Sequence, residues 1–120
     1  MHSKIRMNQF IYLGSCDTCK RIIRGINLPK NVILRDIKKT PLKPNELKSF
    51  KNITGTFRSL LNNRAQKLRN IDKKTLSEEK IFSLLNEHYT YLKRPILHFN
   101  GPLLIGNSKK NIEAIKNIFY

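Results

Sequence analysis

Two closely spaced cysteines form the most reactive pattern in this sequence, Cys16-Asp17-Thr18-Cys19. A disulfide across this spacing closes almost no loop and would stabilise little, so the pair indicates redox or metal chemistry in a reducing compartment. If a helix begins here, its first N–H groups stabilise a thiolate, and we predict a lowered pKa and a nucleophilic sulfur at Cys16. Cys19, one helical turn further on, could attack a mixed disulfide on Cys16 and release the bound group.

The sequence has too few suitably spaced ligands for a structural zinc site, because such a site uses four cysteine or histidine side chains. The histidines are His2, His88 and His98, and no two of them stand at a paired spacing. We therefore predict no metal site and no bound cofactor. We interpret His88 and His98 as packed or surface residues.

A second reactive pattern is Lys93-Arg94-Pro95-Ile96. A proline that begins a strand gives up a backbone donor and can form a cis peptide bond, which exposes backbone polar groups to a bound substrate. An ordinary proline at a strand start is the alternative, and the sequence leaves both open. Arg94 could hold an oxyanion through two parallel hydrogen bonds.

The first third of the chain predicts the elements that position these cysteines. Residues 8–13 are β-branched and aromatic enough for a strand, and residues 17–27 have apolar side chains at helical spacing. Residues 31–37 predict a second, largely buried strand. Because a helix separates the two strands, they should pair in parallel. Cys16 is thereby placed between a strand and a helix.

The middle of the chain predicts helices. Pro44 suits the first turn of a helix that ends before Gly55. A shorter helical piece follows, and then Thr75 and Glu78 have the spacing of a capping box. The helix that this box would begin should end near residues 87–88.

The last third predicts a hairpin of residues 95–99 and 103–105 and a final helix capped by Ser108. The predicted order is a strand, a helix and a strand, then a helical insert at about residues 40–90, and then two strands and a helix. An α/β fold is the simplest arrangement of these elements. The sheet would have four strands, parallel at the front and antiparallel at the back, which is the thioredoxin-like arrangement. At this length we predict one domain over residues 1–120.

The composition is that of a globular chain with a strong positive charge. Its 24 Lys and Arg against 8 Asp and Glu give a formal net charge of +16, which attracts polyanions. The basic residues run through the whole sequence in short doublets, which favours solvated faces over a dedicated anion-binding segment. Since no helix-turn-helix or zinc motif is present, we do not predict direct nucleic-acid binding.

No stretch reaches the roughly 18–20 apolar residues needed to span a bilayer. The basic opening of the chain and the apolar run from Phe10 to Leu13 are superficially similar to a signal peptide. That run is too short for one and leads into a turn, so a strand is the better interpretation. We predict a cytoplasmic protein without a membrane partner.

The order and spacing of three motifs resemble the ArsC/Spx family over nearly the whole chain. These motifs are Cys16-Asp17-Thr18-Cys19, Lys93-Arg94-Pro95-Ile96 and Leu104-Ile105-Gly106-Asn107-Ser108. The resemblance implies a thioredoxin fold with a central helical insert. In the arsenate reductases of this family a cysteine attacks arsenate, arginines hold the oxyanion, and glutathione with glutaredoxin completes the reduction. The resemblance thus implies a small oxyanion or thiol as substrate and glutaredoxin or thioredoxin as redox partner.

The resemblance also assigns roles to individual residues. Cys16 matches the reductase nucleophile, Arg94 matches the arginine before the proline, and Arg58 resembles the arginine of the insert. Gly106 stands where the reductases carry a third arginine. A trianionic substrate would therefore be less well neutralised, unless Arg64 or a nearby lysine substitutes.

The resemblance implies a thiol oxidoreductase, and more narrowly an arsenate reductase. Its catalytic residues would be Cys16, Cys19 and Arg94, and its substrate-binding residues Arg58, Arg64 and Pro95. A second function stays open, because the cysteine pair, the Asn63-Arg64 segment and Gly106 are similar to the Spx and YffB-like branch. Spx is a redox-switched regulator that binds the C-terminal domain of the RNA polymerase α-subunit, so this alternative implies a partner protein rather than a substrate.

Overall fold

The described chain begins with a strand, a helix and a strand and ends with two strands and a helix, and short helical turns fill much of its middle. The computed structural model describes residues 8–119. The chain divides into two compact units, one made of the residues up to Thr40 together with those from Arg94 onward, the other of Pro41–Lys93. The insert predicted at about residues 40–90 corresponds to the second unit. That the whole chain is one domain stays a prediction.

The α-helices and strands follow one another in the predicted order. In chain order they are β1 (Gln9–Tyr12), α1 (Asp17–Arg24), β2 (Ile33–Asp36), α2 (Pro44–Thr54), α3 (Glu78–Glu87), β3 (Ile96–His98), β4 (Leu103–Ile105) and α4 (Lys109–Phe119). Within the described residues, no helix has the length and apolar character required to cross a membrane.

The sheet of the first unit has the strand order β2-β1-β3-β4. β1 pairs with β2 in parallel, with Gln9 opposite Ile33. β1 pairs with β3 antiparallel, and β3 pairs with β4 antiparallel. The predicted α/β fold with a mixed four-stranded, thioredoxin-like sheet is therefore confirmed.

The core of the first unit lies between one face of the sheet and helices α1 and α4. Phe10 and Leu97 from the two central strands cluster with Ile22 of α1 and Ile115 of α4, and all four side chains are buried. Complete burial of one such side chain stabilises the fold by about 1.5–3 kcal/mol. This packing holds the beginning of α1 beside the end of β1, where the first cysteine lies.

Helix α1 is shorter than the predicted span of residues 17–27. It ends at Arg24, and the N–H of Gly25 donates to two carbonyls of the last turn. Ile26 is buried all the same. The apolar spacing therefore marked a buried side chain correctly, although that residue lies beyond the helix end.

The prediction that β2 is largely buried is wrong. Ile33 is 48% exposed and Leu34 is 50% exposed. β2 stands at the edge of the sheet with β1 as its neighbour, so its apolar side chains are covered from fewer sides. A short apolar run does not distinguish an edge strand from a central one.

Helix α2 of the second unit begins at Pro44 and ends before Gly55, as predicted. The φ of Gly55 is +100°, a left-handed conformation in which glycine carries no Cβ penalty, and it is the common end of a helix. Leu47 and Phe50 are the buried residues of this helix.

The predicted capping box before helix α3 is wrong, although α3 does end at Glu87. Ser77 is the N-cap, and its hydroxyl accepts the N–H of Lys80 at 3.0 Å. Thr75 instead closes a preceding 3₁₀ turn by donating its hydroxyl to the Asp72 carbonyl at 2.7 Å. Both residues have capping chemistry, and the extra turn decides which of them caps the helix.

The predicted hairpin and final helix are confirmed. β3 and β4 form the antiparallel pair. The Ser108 hydroxyl accepts the N–H of Asn111 at 3.1 Å and so caps α4. The N–H of Gly106, just after β4, donates to the Pro95 carbonyl at 2.8 Å, which fixes the start of β3.

Candidate active site

Cys16 lies at the junction of β1 and α1, where the sequence places it. It occupies the N-cap of α1 with an extended backbone, φ −89° and ψ 113°. Its N–H donates to the Leu13 carbonyl at 2.9 Å, and its carbonyl accepts the N–H of Lys20 at 3.1 Å. Cys16 is partly exposed and Cys19 is buried, and both are free thiols.

Several groups around Cys16 act on the pKa of its thiol. Partial burial is the largest single influence and raises that pKa. The backbone N–H of Cys19, the Cys19 thiol, the backbone N–H of Thr18 and the positive charge of Arg94 act in the other direction. Together they outweigh burial and lower the pKa below its ordinary value of 9.0. The Cys16 side chain makes no N-cap hydrogen bond to the first turn of α1. The thiolate is therefore stabilised by several weak interactions together rather than by one strong hydrogen bond.

Cys19 has the opposite chemistry. Its side chain is completely buried, and burial is the main reason why the pKa of its thiol is raised to about 12. The hydrogen bond to Cys16 and the negative charge there raise this pKa further, while the Leu13 backbone and Arg94 lower it only in part. At neutral pH Cys19 therefore stays protonated and donates to the sulfur of Cys16.

This division of roles gives a first testable expectation. In Cys19→Ala the thiol that donates to Cys16 is lost, so the pKa of Cys16 should rise. The pH dependence of the ultraviolet absorbance of the thiolate measures that pKa directly. Cys19→Ser is the matched control, because its hydroxyl can still donate and should return the pKa of Cys16 toward the wild-type value. A Cys16 pKa that is unchanged in Cys19→Ala would show that the two side chains do not interact.

Arg94 and Pro95 lie at the same end of the sheet as Cys16. Ile96 pairs with Ile11, so Arg94, two residues earlier, lies next to the loop that leads from β1 to the cysteine. The Arg94–Pro95 peptide bond is cis, while a role of Pro95 in substrate binding stays a prediction. Pro95 is fully buried. The structure thus brings together four of the predicted site residues, since the charge of Arg94 acts on both thiols and Pro95 is bonded to Arg94.

The other two predicted binding residues, Arg58 and Arg64, belong to the second unit. Nη1 of Arg58 donates to the Lys73 carbonyl at 2.8 Å, and its Nη2 donates to the Leu76 carbonyl. Arg64 is exposed. Substrate contact by either arginine stays a prediction.

Asp36 positions the loop before Cys16, and the sequence analysis does not identify it. Oδ1 of Asp36, at the end of β2, accepts the N–H of Gly14 at 3.2 Å and the N–H of Lys38 at 3.0 Å. A Cβ atom on residue 14 would lie 2.4 Å from Oδ2 of Asp36. A larger residue at this position would therefore displace the Asp36 carboxylate from its place beside the Gly14 N–H. Nothing in the spacing of residues 14 and 36 signals the contact, which exists because β1 and β2 pair in parallel.

Gly14→Ala should consequently destabilise the fold. The new methyl group displaces the Asp36 carboxylate and breaks its hydrogen bond to residue 14, a loss of about 1.5–3 kcal/mol for a bond to a charged group. Urea unfolding measures the change in the free energy of unfolding. Gly25→Ala is the matched control, because its φ is −91° and its Cβ would meet nothing closer than 3.6 Å. Equal stability of the two variants would rule out the role given to Asp36.

The described part of the chain contains no group of three His, Cys, Asp or Glu residues that could hold a metal ion. His88 makes a local contact, with Nδ1 2.9 Å from the Thr90 hydroxyl. His98 is partly buried, and His2 lies outside the described residues.

The comparison with solved structures finds the same fold in proteins of low sequence identity. An arsenate reductase from Vibrio cholerae has a TM-score of 0.69 and 17% identity, over 96% of this chain and 99% of that one. A possible arsenate reductase from Streptococcus mutans has a TM-score of 0.68 and 22% identity, over 92% and 98%. A protein named YFFB has a TM-score of 0.72 and 21% identity, over 91% and 98%.

No curated protein matches the sequence. The family model described as the ArsC family, in contrast, matches residues 12–115. That range extends from the end of β1 to the buried core of α4, and it includes both cysteines and the cis Arg94–Pro95 bond. A match over most of the sequence shows that the chain belongs to the ArsC family.

Proposed function

We propose that this protein is a thiol oxidoreductase that reduces a small oxyanion, with arsenate as the substrate to test first. The observation that carries the proposal is the contrast between the two thiols. Cys16 is accessible, has a lowered pKa and lies beside Arg94, whereas Cys19 is buried with a pKa of about 12. The Cys16 thiolate would therefore attack the substrate, and the protonated Cys19 thiol would react only in a later step.

The proposed reaction begins at Cys16. Its thiolate attacks the arsenic atom of arsenate, an S–As bond forms, and one oxygen leaves as water after protonation. Arg94 would hold the remaining oxygens through charge-assisted hydrogen bonds. A second thiol then attacks the sulfur of Cys16, a disulfide forms, and the S–As bond breaks with its electron pair staying on arsenic. Arsenic is thereby reduced by two electrons and leaves as arsenite.

The second thiol would be either Cys19 or glutathione. Two of the influences that raise the pKa of Cys19 come from the Cys16 sulfur, namely its hydrogen bond and its negative charge. Both disappear once that sulfur is bonded to arsenic. Cys19 therefore becomes a better nucleophile after the first step than before it. Glutathione with glutaredoxin, or thioredoxin, would return the oxidised sulfur to the thiol.

Arg94 is the binding residue on which the proposal depends. Arg58 would contact the oxyanion only after exchanging at least one of its two carbonyl partners. Arg64 would have to supply the charge that the reductases obtain from an arginine at the position of Gly106. Both remain proposed substrate-binding residues, as does Pro95.

The test is arsenate-dependent oxidation of NADPH, with electrons supplied through glutathione and glutaredoxin in one assay and through thioredoxin in another. We expect turnover in at least one of them. No arsenate-dependent oxidation in either assay, with a reductase of this family as positive control, would overturn the proposal.

A redox-sensing regulator of the Spx type is the second candidate, because it needs the same two thiols. It would capture the C-terminal domain of the RNA polymerase α-subunit in one oxidation state only. The net charge of +16 disfavours docking on a basic partner surface. Capture of the α-subunit domain by the oxidised protein and not by the reduced protein would favour this candidate over the enzyme.

A further inference from the structure

The outer edge of β2 offers backbone groups for another strand. The N–H groups of Ile33 and Ile37 donate to carbonyls on the β1 side, at 3.0 and 2.9 Å. Because alternate residues of a strand turn their N–H and C=O groups to opposite sides, Leu34 directs its own pair outward. Ile33 and Leu34 are about half exposed on opposite faces of the sheet. Among the described residues, β2 has no strand on this side.

Two recesses flank this edge. The larger, which we call the β2 groove, has a volume of about 610 Å³, and the smaller, on the same strand, has a volume of about 390 Å³. Leu34 lines both, while Ile33 and Arg35 line the smaller one. An added strand places alternate side chains on the two faces of a sheet, so recesses on both sides of the edge suit it.

The β2 groove combines an apolar floor with a basic rim. Its apolar lining consists of Tyr12, Ile23 and Leu34, and its basic lining consists of Lys20, Arg24, Lys38 and Lys39. All four basic residues are exposed. One carboxylate, Asp36, also lines the groove, but it already accepts two backbone N–H groups. Four basic side chains against this one carboxylate leave the lining with an excess of positive charge.

These features select the kind of partner. A second copy of this chain would bring the same basic rim against itself, and each copy has a net charge of +16, so self-association is disfavoured. A phosphate backbone would use the lysines but neither the exposed apolar side chains nor the outward backbone groups of Leu34. An extended peptide with alternating apolar and acidic residues uses all three.

We propose that the edge of β2 binds an extended acidic peptide segment of a partner protein, which adds a fifth strand to the sheet. Main-chain hydrogen bonds to Leu34 would provide the register, apolar side chains would pack on Leu34 and Ile23, and carboxylates would pair with the basic rim. This interaction needs no thiol chemistry and stands independently of the proposed function.

The test is fluorescence anisotropy with the full chain and a labelled peptide of alternating valine and glutamate. We expect saturable, salt-sensitive binding. The same peptide with lysine in place of glutamate should not bind, and neither should an N-methylated version that cannot donate main-chain hydrogen bonds. Equal binding of the N-methylated peptide would overturn strand addition. Equal or tighter binding of a single-stranded oligonucleotide, with displacement of the peptide, would overturn the choice of partner.

Variants separate the groove from the overall charge. Lys20→Gln with Arg24→Gln should weaken binding roughly 2- to 30-fold, as expected for the loss of two exposed ion pairs. Lys109→Gln with Lys110→Gln removes the same charge from the start of α4 and should leave the affinity unchanged. Leu34→Ser should weaken binding at least about fivefold, the loss typical of truncating an interface anchor. Equal effects of the two double variants, with no effect of Leu34→Ser, would reduce the interaction to general charge attraction and overturn the proposal.

Discussion

Replacing Cys16 with serine is expected to reduce arsenate-dependent NADPH oxidation by at least about 10³-fold, because the nucleophile itself is lost. A serine hydroxyl is not ionised at neutral pH and cannot form the disulfide that releases arsenite. The fold should survive the change, because serine is a preferred N-cap residue and Cys16 occupies the N-cap of α1. The expected signature is therefore lost turnover with an unchanged or raised free energy of unfolding.

The partner variant Cys19→Ser is the control for this result. It keeps the nucleophile and a hydrogen-bond donor but removes the buried resolving thiol. Activity that persists with glutathione and is lost with thioredoxin would indicate that glutathione resolves the intermediate in place of Cys19. Wild-type activity in Cys16→Ser, by contrast, would end the assignment of Cys16 as the nucleophile, whatever Cys19→Ser does.

Arg94→Ala is expected to have the second largest effect, because it acts on both the thiol and the oxyanion. The positive charge of Arg94 lowers the pKa of Cys16, so the pKa should rise in the variant. The oxyanion would also lose a charge-assisted hydrogen bond of about 1.5–3 kcal/mol, which corresponds to a fall of roughly 10- to 150-fold in kcat/KM. Parallel measurements of the thiol pKa and of kcat/KM at several pH values separate the two contributions.

Arg94→Lys distinguishes the charge from the geometry of the guanidinium. Lysine keeps the positive charge, so the pKa of Cys16 should stay close to the wild-type value. It cannot form two parallel hydrogen bonds to one oxyanion, so KM for arsenate should remain raised. Wild-type KM and thiol pKa in both variants would show that Arg94 takes no part in the site.

The sequence predicts the frame of this molecule well, because its signals are local. The strand at residues 9–12, the helix that follows and the late hairpin each carry their own apolar pattern and turn residues. The cysteine pair is placed correctly at the junction for the same reason. Two predictions are wrong because they depend on more than the local sequence. Ile33 and Leu34 are exposed because β2 lies at the edge of the sheet, and Ser77 rather than Thr75 is the N-cap of α3 because an extra turn precedes that helix.

The supporting contacts of the site are harder to predict, because they join residues that are distant along the chain. Asp36 reaches the Gly14 N–H only through the parallel pairing of β1 and β2. The pKa of Cys16 is lowered and that of Cys19 is raised because the two thiols are unequally buried and because Arg94, just before β3, carries a positive charge. The position of the pair before a helix predicts the lowered pKa of Cys16, but nothing in the sequence indicates that burial raises the pKa of Cys19.

The most direct test of the proposed function is the pH dependence of Cys16 alkylation by iodoacetamide, measured with and without arsenate. Only the thiolate reacts, so the rate should fall as the pH drops through the pKa of Cys16. We expect that pKa to lie below that of a cysteine in an unstructured peptide measured alongside, and we expect arsenate to protect the thiol in wild type but not in Arg94→Ala. A pKa equal to that of the peptide, with no protection by arsenate, would contradict a reactive thiolate at this site.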